Sequence, residues 1–196
     1  AIVNVIGDGG GGGGPLTCPG DIVQDNDPGV CGAVVTFSVD SPAGCGGSGT
    51  LTQTAGLPSG SIFPVGVTTT TFEYNDGTNP VATCSFTVTV NDTEGPTAVC
   101  QNVTVQLDAS GNATITAADV DGGSTENCGI DAMSSSKTTF TCADIGANNV
   151  TLTVTDVNGN ENSCVAVVTV EDNEAPTAVC QNITIQLDAS GNATIT

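Results

Sequence analysis

PTAVCQNVTVQLDASGNATIT, running from Pro96 to Thr116, returns from Pro176 to Thr196 as PTAVCQNITIQLDASGNATIT, changed only where Val103 becomes Ile183 and Val105 becomes Ile185. The cysteines inside the two copies, Cys100 and Cys180, set a period of 80 residues. A period of this size marks one folding unit laid beside the next. Working upstream, landmark spacing reveals an older copy that identity hides. Gly66, Asp76, Cys84 and Pro96 stand 10, 8 and 12 residues apart, and Gly146, Asp156, Cys164 and Pro176 repeat those intervals. Cys18 then takes the place of Cys100.

Within each unit the apolar residues alternate with a period of two, the mark of half-buried antiparallel strands. Cys84, Phe86, Val88 and Val90 point one way and Ser85, Thr87 and Thr89 the other; Val150, Leu152 and Val154 do the same beside Thr151, Thr153 and Thr155. Asp108 to Asn112 and Asn158 to Asn160 supply the left-handed positions that tight turns require. Several short strands in about 80 residues predict an all-β fold of tandem immunoglobulin-like Greek-key β-sandwiches. The repeats are placed at 15–92 and 93–172, with 173–196 as the first strands of a truncated third. Residues 1–8, AIVNVIGD, resemble the closing strands SFTVTVND and VAVVTVED and are assigned to the end of a preceding repeat. The glycine run Gly9–Gly14 lacks a following Lys-Ser/Thr, so it reads as a linker and not as a phosphate cradle. Both ends therefore read as cuts within an array, although a subunit lending its terminal strands to neighbours has the same appearance.

Composition narrows the function. Twenty-one acidic residues face one cation, Lys137, and there is no histidine, giving a formal net charge of -20 and a pI near 4.1. A nucleic-acid partner is excluded, because no basic surface exists to displace counterions from phosphates. Docking on an anionic membrane is disfavoured, and no apolar run approaches the roughly 20 residues of a spanning helix. Charged residues are only 11% and hydrophobic ones 38%, so the chain folds and is not an acidic coil. Without His or Arg, and with aromatic residues at 3%, general bases and sugar-stacking platforms are lacking, and the protein is read as no enzyme.

Nine cysteines without metal-ligating histidines point to disulfides and an oxidising compartment. Four cysteines per repeat allow three pairings, which sequence does not decide. The simplest solution joins first strand to last, Cys18 to Cys84 and Cys100 to Cys164, and leaves Cys31 with Cys45 and Cys128 with Cys142.

Oxygen ligands collect near the repeat boundaries: Asp92 and Glu94 before Pro96, and Glu171, Asp172, Asn173 and Glu174 before Pro176. The turns Asp156, Asn158, Asn160 and Asp76, Asn79 add more. Calcium takes six to eight such oxygens, and an ion shared across a boundary stiffens it. The metal set expected is Asp92, Glu94, Asp156, Asn158, Asn160, Asp172, Asn173 and Glu174; the alternative is that these residues are solvated turn formers. The acidic loop Asp119–Asn127 is expected to be a plain exposed loop.

Cys18-Pro19-Gly20-Asp21-Ile22, Phe63-Pro64-Val65-Gly66 with its threonine run, Asp76, and Cys84-Ser85-Phe86-Thr87-Val88-Thr89-Val90 together resemble a hyalin repeat (HYR domain). That resemblance implies an immunoglobulin-like fold and adhesion outside the cell. Repeat two departs from it, carrying Thr141-Cys142-Ala143-Asp144-Ile145-Gly146 in place of the Phe-Pro-Val-Gly lead-in. It is similar to repeats of large surface adhesins of Bacteroidota, including gliding adhesins, which implies type IX secretion. The expected function is a structural stalk whose partners are neighbouring repeats and an unidentified surface, glycan or protein ligand. A ligand-binding adhesion module and a fibre subunit assembled by strand exchange are the alternatives.

Overall fold

The computed structural model describes residues 16–41, 49–77 and 80–195. The strand expected in residues 1–8, the glycine run 9–14, Cys45 and Asn79 lie outside them.

The first half carries β1 (Ile22–Asp25), β2 (Gly32–Val35), β3 (Thr50–Ala55), β4 (Ser61–Pro64), β5 (Gly66–Asn75) and β6 (Ala82–Asn91). The second carries β7 (Val103–Gln106), β8 (Asn112–Thr114), β9 (Ile130–Ser135), β10 (Thr139–Thr141), β11 (Gly146–Asp156) and β12 (Glu161–Glu171). Each half builds one four-stranded sheet, β1-β6-β5-β3 or β7-β12-β11-β9, and one strand pair, β2-β4 or β8-β10. The fold is all-β, an immunoglobulin-like sandwich made twice. The 80-residue period survives in the hydrogen-bond register: Gly66 faces Val90 and Phe72 faces Cys84, as Gly146 faces Val170 and Leu152 faces Cys164. Gly66 and Gly146 open their strands at φ 108° and 107°, a conformation that disfavours side-chain-bearing residues.

The alternation read from sequence is the alternation of burial. Phe86, Val88 and Val90 of β6 meet Ala33, Val35 and Phe63 of the opposite sheet, while Ala166, Val168 and Val170 of β12 meet Val150, Leu152, Val154 and Phe140. Each fully buried Val, Leu or Phe contributes about 1.5–3 kcal/mol. Repeat one centres on Phe37, whose ring meets those of Phe63, Phe72 and Phe86 edge-on at 5.0–6.2 Å; in the core of repeat two Phe140 is surrounded by aliphatic side chains.

The first strand of each sandwich lies parallel to the last: Ile22 beside Val88 and Val103 beside Val168. Parallel pairing means that the chain comes in at one pole, here called proximal, and leaves at the opposite, distal pole. The two sandwiches therefore follow one another end to end, and the end of β6 leads into the proximal pole of repeat two.

Residues 172–195 contain no strand, in contrast to the first strands expected there. The copy at 96–116 forms β7 because β12, some 65 residues downstream, pairs with it. No strand among the described residues does this for 176–195. The turn alone persists: Asp188 Oδ1 accepts from the backbone N–H of Ser190 and Asn192, as Asp108 Oδ1 does from Ser110 and Asn112.

Candidate functional site at the junction between the repeats

The turn from Asp156 to Asn160 joins β11 to β12 and sits at the proximal pole of repeat two. Asp156 is only 1% exposed. Its Oδ1 accepts the N–H groups of Asn158 and Asn160, each at 2.8 Å, and its Oδ2 accepts Asn160 Nδ2 at 2.9 Å. Burial alone pushes this carboxyl up, but the Asn160 side chain and the backbone N–H groups of Asn160, Asn158 and Gly159 outweigh it and hold the carboxyl below its usual range. The same Asn160 amide reaches the carbonyls of Asp92 and Glu94 at 3.3 Å, and Asn162 Nδ2 donates to the Pro96 carbonyl at 3.0 Å.

Repeat one grips the linker from the other side. Glu94 Oε2 accepts from Gly29 N–H at 2.7 Å, in the β1–β2 loop, and from Asn127 Nδ2 at 3.0 Å, in repeat two. Asn26 Oδ1 accepts from Thr93 N–H at 3.1 Å. One carboxylate thus bridges the distal loop of one sandwich and the proximal loop of the next.

Beside this network Asp92, Glu126 and Asp156 bring carboxylate oxygens within 4.8 Å of one another. Asp92 Oδ2 and Asn127 Oδ1 are buried and accept no hydrogen bond from the protein. The one cation in the chain, Lys137, is engaged elsewhere, pairing with Asp144 and lying 4.9 Å over the Phe140 ring. Calcium–oxygen bonds of 2.3–2.6 Å place opposed ligands roughly 5 Å apart, so the spacing and the all-oxygen donor set fit a hard divalent cation.

Of the residues expected to bind metal, Asp92 and Asp156 meet here. Glu94 and Asn160 stand beside them as hydrogen-bonding straps, and Asn158 gives its backbone N–H to Asp156. Asp172, Asn173 and Glu174 lie at the distal pole of repeat two, roughly 35 Å away along the 11 residues of β12. There Asp172 Oδ1 accepts Glu174 N–H, as Asp92 Oδ1 accepts Glu94 N–H, and Asn173 donates to Gln106. Glu126 and Asn127 were not foreseen. Their loop is no plain solvent loop, and the available signal was its position immediately before Cys128.

Cys18 pairs with Cys84 and Cys100 with Cys164, each joining the start of a sandwich to its last strand. The other two expected pairs are overturned: Cys31 bonds Cys128, across the junction, with Cα atoms 4.8 Å apart. Cys142 is an exposed thiol. The reason is polarity. Cys31 lies in the distal β1–β2 loop, while Cys128 precedes Ile130, which pairs with Asp156 at the proximal pole of repeat two. Cys142 follows Thr141, which pairs with Asn112 beside the distal turn, so the length of the sandwich separates it from Cys128.

Each half is thus an immunoglobulin-like sandwich with its first and last strands tied by a disulfide, and a third disulfide crosses the junction between them. Residues 15–90 match the family model of the HYR domain. No curated protein matches the chain. Among solved structures it is similar to human mucin-like protocadherin EC1-2, at 11% identity over 80% of this chain and 98% of that one, with a TM-score of 0.40. The extracellular cadherin domains 1-5 of protocadherin gamma B2 give 16% identity, 81% and 39% coverage and a TM-score of 0.38, so the chain spans well under half of that protein. The N-terminal Ig1-2 module of the Drosophila receptor protein tyrosine phosphatase DLAR gives 12%, 81% and 100%, with a TM-score of 0.23. The HYR match and the three disulfides point to an extracellular location. Among the described residues no helix is long and apolar enough to cross a membrane.

Proposed function

We propose that these repeats are spacer units in the stalk of a secreted cell-surface adhesin, holding an adhesive tip away from the cell, and that a calcium ion completes the junction between them. The observation that carries the reading is the double fastening of one sandwich to the next: a disulfide and a hydrogen-bonded strap cross the same boundary. Two domains tied in this way keep a fixed direction, and units whose chain comes in and leaves at opposite poles add length with every copy. The role has no need of catalysis. Attachment or gliding is the activity that such a stalk serves, and type IX export is the route that the resemblance of repeat two implies. Asp92, Glu126 and Asp156 supply the cation's carboxylates in this reading, and Asp172 with Glu174 begin the same arrangement at the next boundary.

A second reading, a fibre subunit joined by strand exchange, is favoured by one observation. Ile183, Ile185 and Leu187 are 57%, 47% and 67% exposed, although they copy Val103, Val105 and Leu107, which pack in the core of repeat two. Antibodies raised against the folded repeats, applied to intact source cells and then to a denaturing gel, separate the readings. A surface-labelled chain far heavier than 19.2 kDa supports the stalk. Units of 19.2 kDa released from a polymer support the fibre, and an absence of surface label overturns both.

A further inference from the structure

Disulfide connectivity and strand direction together define a path for force. Cys18 stands before β1, and Cys84 lies near the start of β6, the strand that runs to the distal pole. A pull on the two ends crosses from Cys18 to Cys84 and follows β6 to Asn91, leaving residues 19–83 outside the line of tension. In repeat two it crosses from Cys100 to Cys164 and follows β12 to Glu171, leaving residues 101–163 outside. The strand segments that remain are already extended at about 3.3 Å per residue, close to the limit of 3.3–3.6 Å, so they have almost no length to give.

We infer that tension on this chain bypasses the two disulfide-closed segments, 19–83 and 101–163, carried in series by the Cys18–Cys84 and Cys100–Cys164 bridges and the ends of β6 and β12, with the Cys31–Cys128 bridge as a reserve path across the junction. The inference rests on the stalk reading only in supposing that the repeats are pulled; the path itself follows from topology. Without the reserve bridge, opening Cys18–Cys84 frees its 66-residue separation, about 220–240 Å of chain. With it, tension reroutes from Cys18 to Cys31, across to Cys128 and back to Cys100, which frees only about 25 residues, or about 80–90 Å. Opening Cys100–Cys164 instead frees about 33 residues, or about 110–120 Å, where its separation of 64 would release about 210–230 Å. The reserve bridge therefore cuts the slack to about half for Cys100–Cys164 and to well under half for Cys18–Cys84.

The test is a force clamp on the full 196-residue chain, held by handles at Ala1 and Thr196, first oxidised and then with a phosphine reductant. The oxidised chain is expected to show no unfolding step of about 200 Å, because residues 19–83 and 101–163 are closed off from the path by their bridges. On reduction the first step is expected to be about 85 or about 115 Å, and about 210–240 Å in a Cys31→Ser, Cys128→Ser double variant. The step sizes of the unsubstituted chain give the answer even if the variant folds poorly. A 200 Å step under oxidising conditions overturns the bypass; first reductive steps above 200 Å in every unsubstituted molecule overturn the reserve path, whereas silent reduction of the unloaded Cys31–Cys128 bridge gives such steps only in a fraction of molecules, with steps of about 85 or about 115 Å in the rest. Either result leaves the surface-labelling test of the stalk untouched, and a failed surface label leaves the force path intact.

Discussion

Replacing Asp92 with Asn tests the junction most sharply, because the expected effect changes sign with the ion. Asp92 stands within 4.8 Å of the carboxylates of Glu126 and Asp156. Two unit charges at that distance repel by about 1 kcal/mol in a water-like medium and about 3.5 kcal/mol at an effective dielectric of 20. The site is partly solvated, so the lower figure applies, and two neighbours give about 2 kcal/mol of relief when the charge goes. Asn keeps the Oδ1 that accepts Glu94 N–H at 3.2 Å and adds a donor where Asp92 Oδ2 is buried without one, so little is lost. In chelator the variant is expected to melt about 10 °C above its parent, at 4–8 °C per kcal/mol for a domain of this size. Calcium reverses the order. An ion at a hundred times its Kd stabilises the parent by about 2.7 kcal/mol, and the variant, with two carboxylates in place of three, gains less. Differential scanning calorimetry in chelator and in millimolar calcium reads both effects. A variant that melts below its parent in chelator refutes the repulsion argument, and calcium that moves neither melt removes the ion.

Leu152→Ala, at a site with no exposure in the core of repeat two, is expected to cost 2–5 kcal/mol in urea unfolding, and a loss under 1 kcal/mol would mean that the site is not packed as described. Stability should hold from about pH 8 to 5 and fall below about pH 4, since backbone and side-chain hydrogen bonds from Thr87, Thr116 and Ser124 lower the carboxyls of Asp21, Asp119 and Asp121, and a bond from Lys137 lowers Asp144. The sign follows from linkage: a carboxyl whose folded pKa lies below its unfolded value stabilises above the unfolded pKa and loses that contribution as pH falls through the folded one. Urea midpoints against pH check it, and a chain equally stable at pH 2 contradicts it. Digestion at acidic residues without reduction should yield a Cys31–Cys128 linked peptide, with Cys142 alkylated by a maleimide in the folded protein. A Cys128–Cys142 peptide defeats the cross-junction bridge.

Much of the fold was readable because it depends on local period. The alternation from Cys84 to Val90 fixes which side chains enter the core, and the spacing of Gly66, Asp76 and Cys84 maps onto Gly146, Asp156 and Cys164 in register. The two first-to-last bridges were readable for the same reason, since their cysteines recur at matched positions. What escaped depends on which pole a loop occupies. Cys31 and Cys142 differ in sequence position yet both stand at the distal pole of their own sandwich, so a comparison that paired cysteines within a repeat could not find the partner across the boundary. Glu126 escaped likewise, because only the antiparallel run of β9 against β11 brings its loop back to Asp156.

The two copies of PTAVCQN(V/I)T(V/I)QLDASGNATIT separate local from tertiary causes within one molecule. Both form the Asp-Ala-Ser-Gly-Asn turn, closed by Asp108 N–H to the Asn112 carbonyl and Asp188 N–H to the Asn192 carbonyl, each at 2.8 Å, so the turn is written in five residues. Only the first copy forms a strand, although isoleucine at 183 and 185 gives the second at least equal β-propensity. The difference lies in β12, which supplies four register partners from Val168 to Glu171, and in Cys164, which ties Cys100 in place. A strand in this array is therefore a property of a pair of segments some 65 residues apart, and the disulfide joins the same pair. The bond that closes the fold is thus also the one that carries a pull past it.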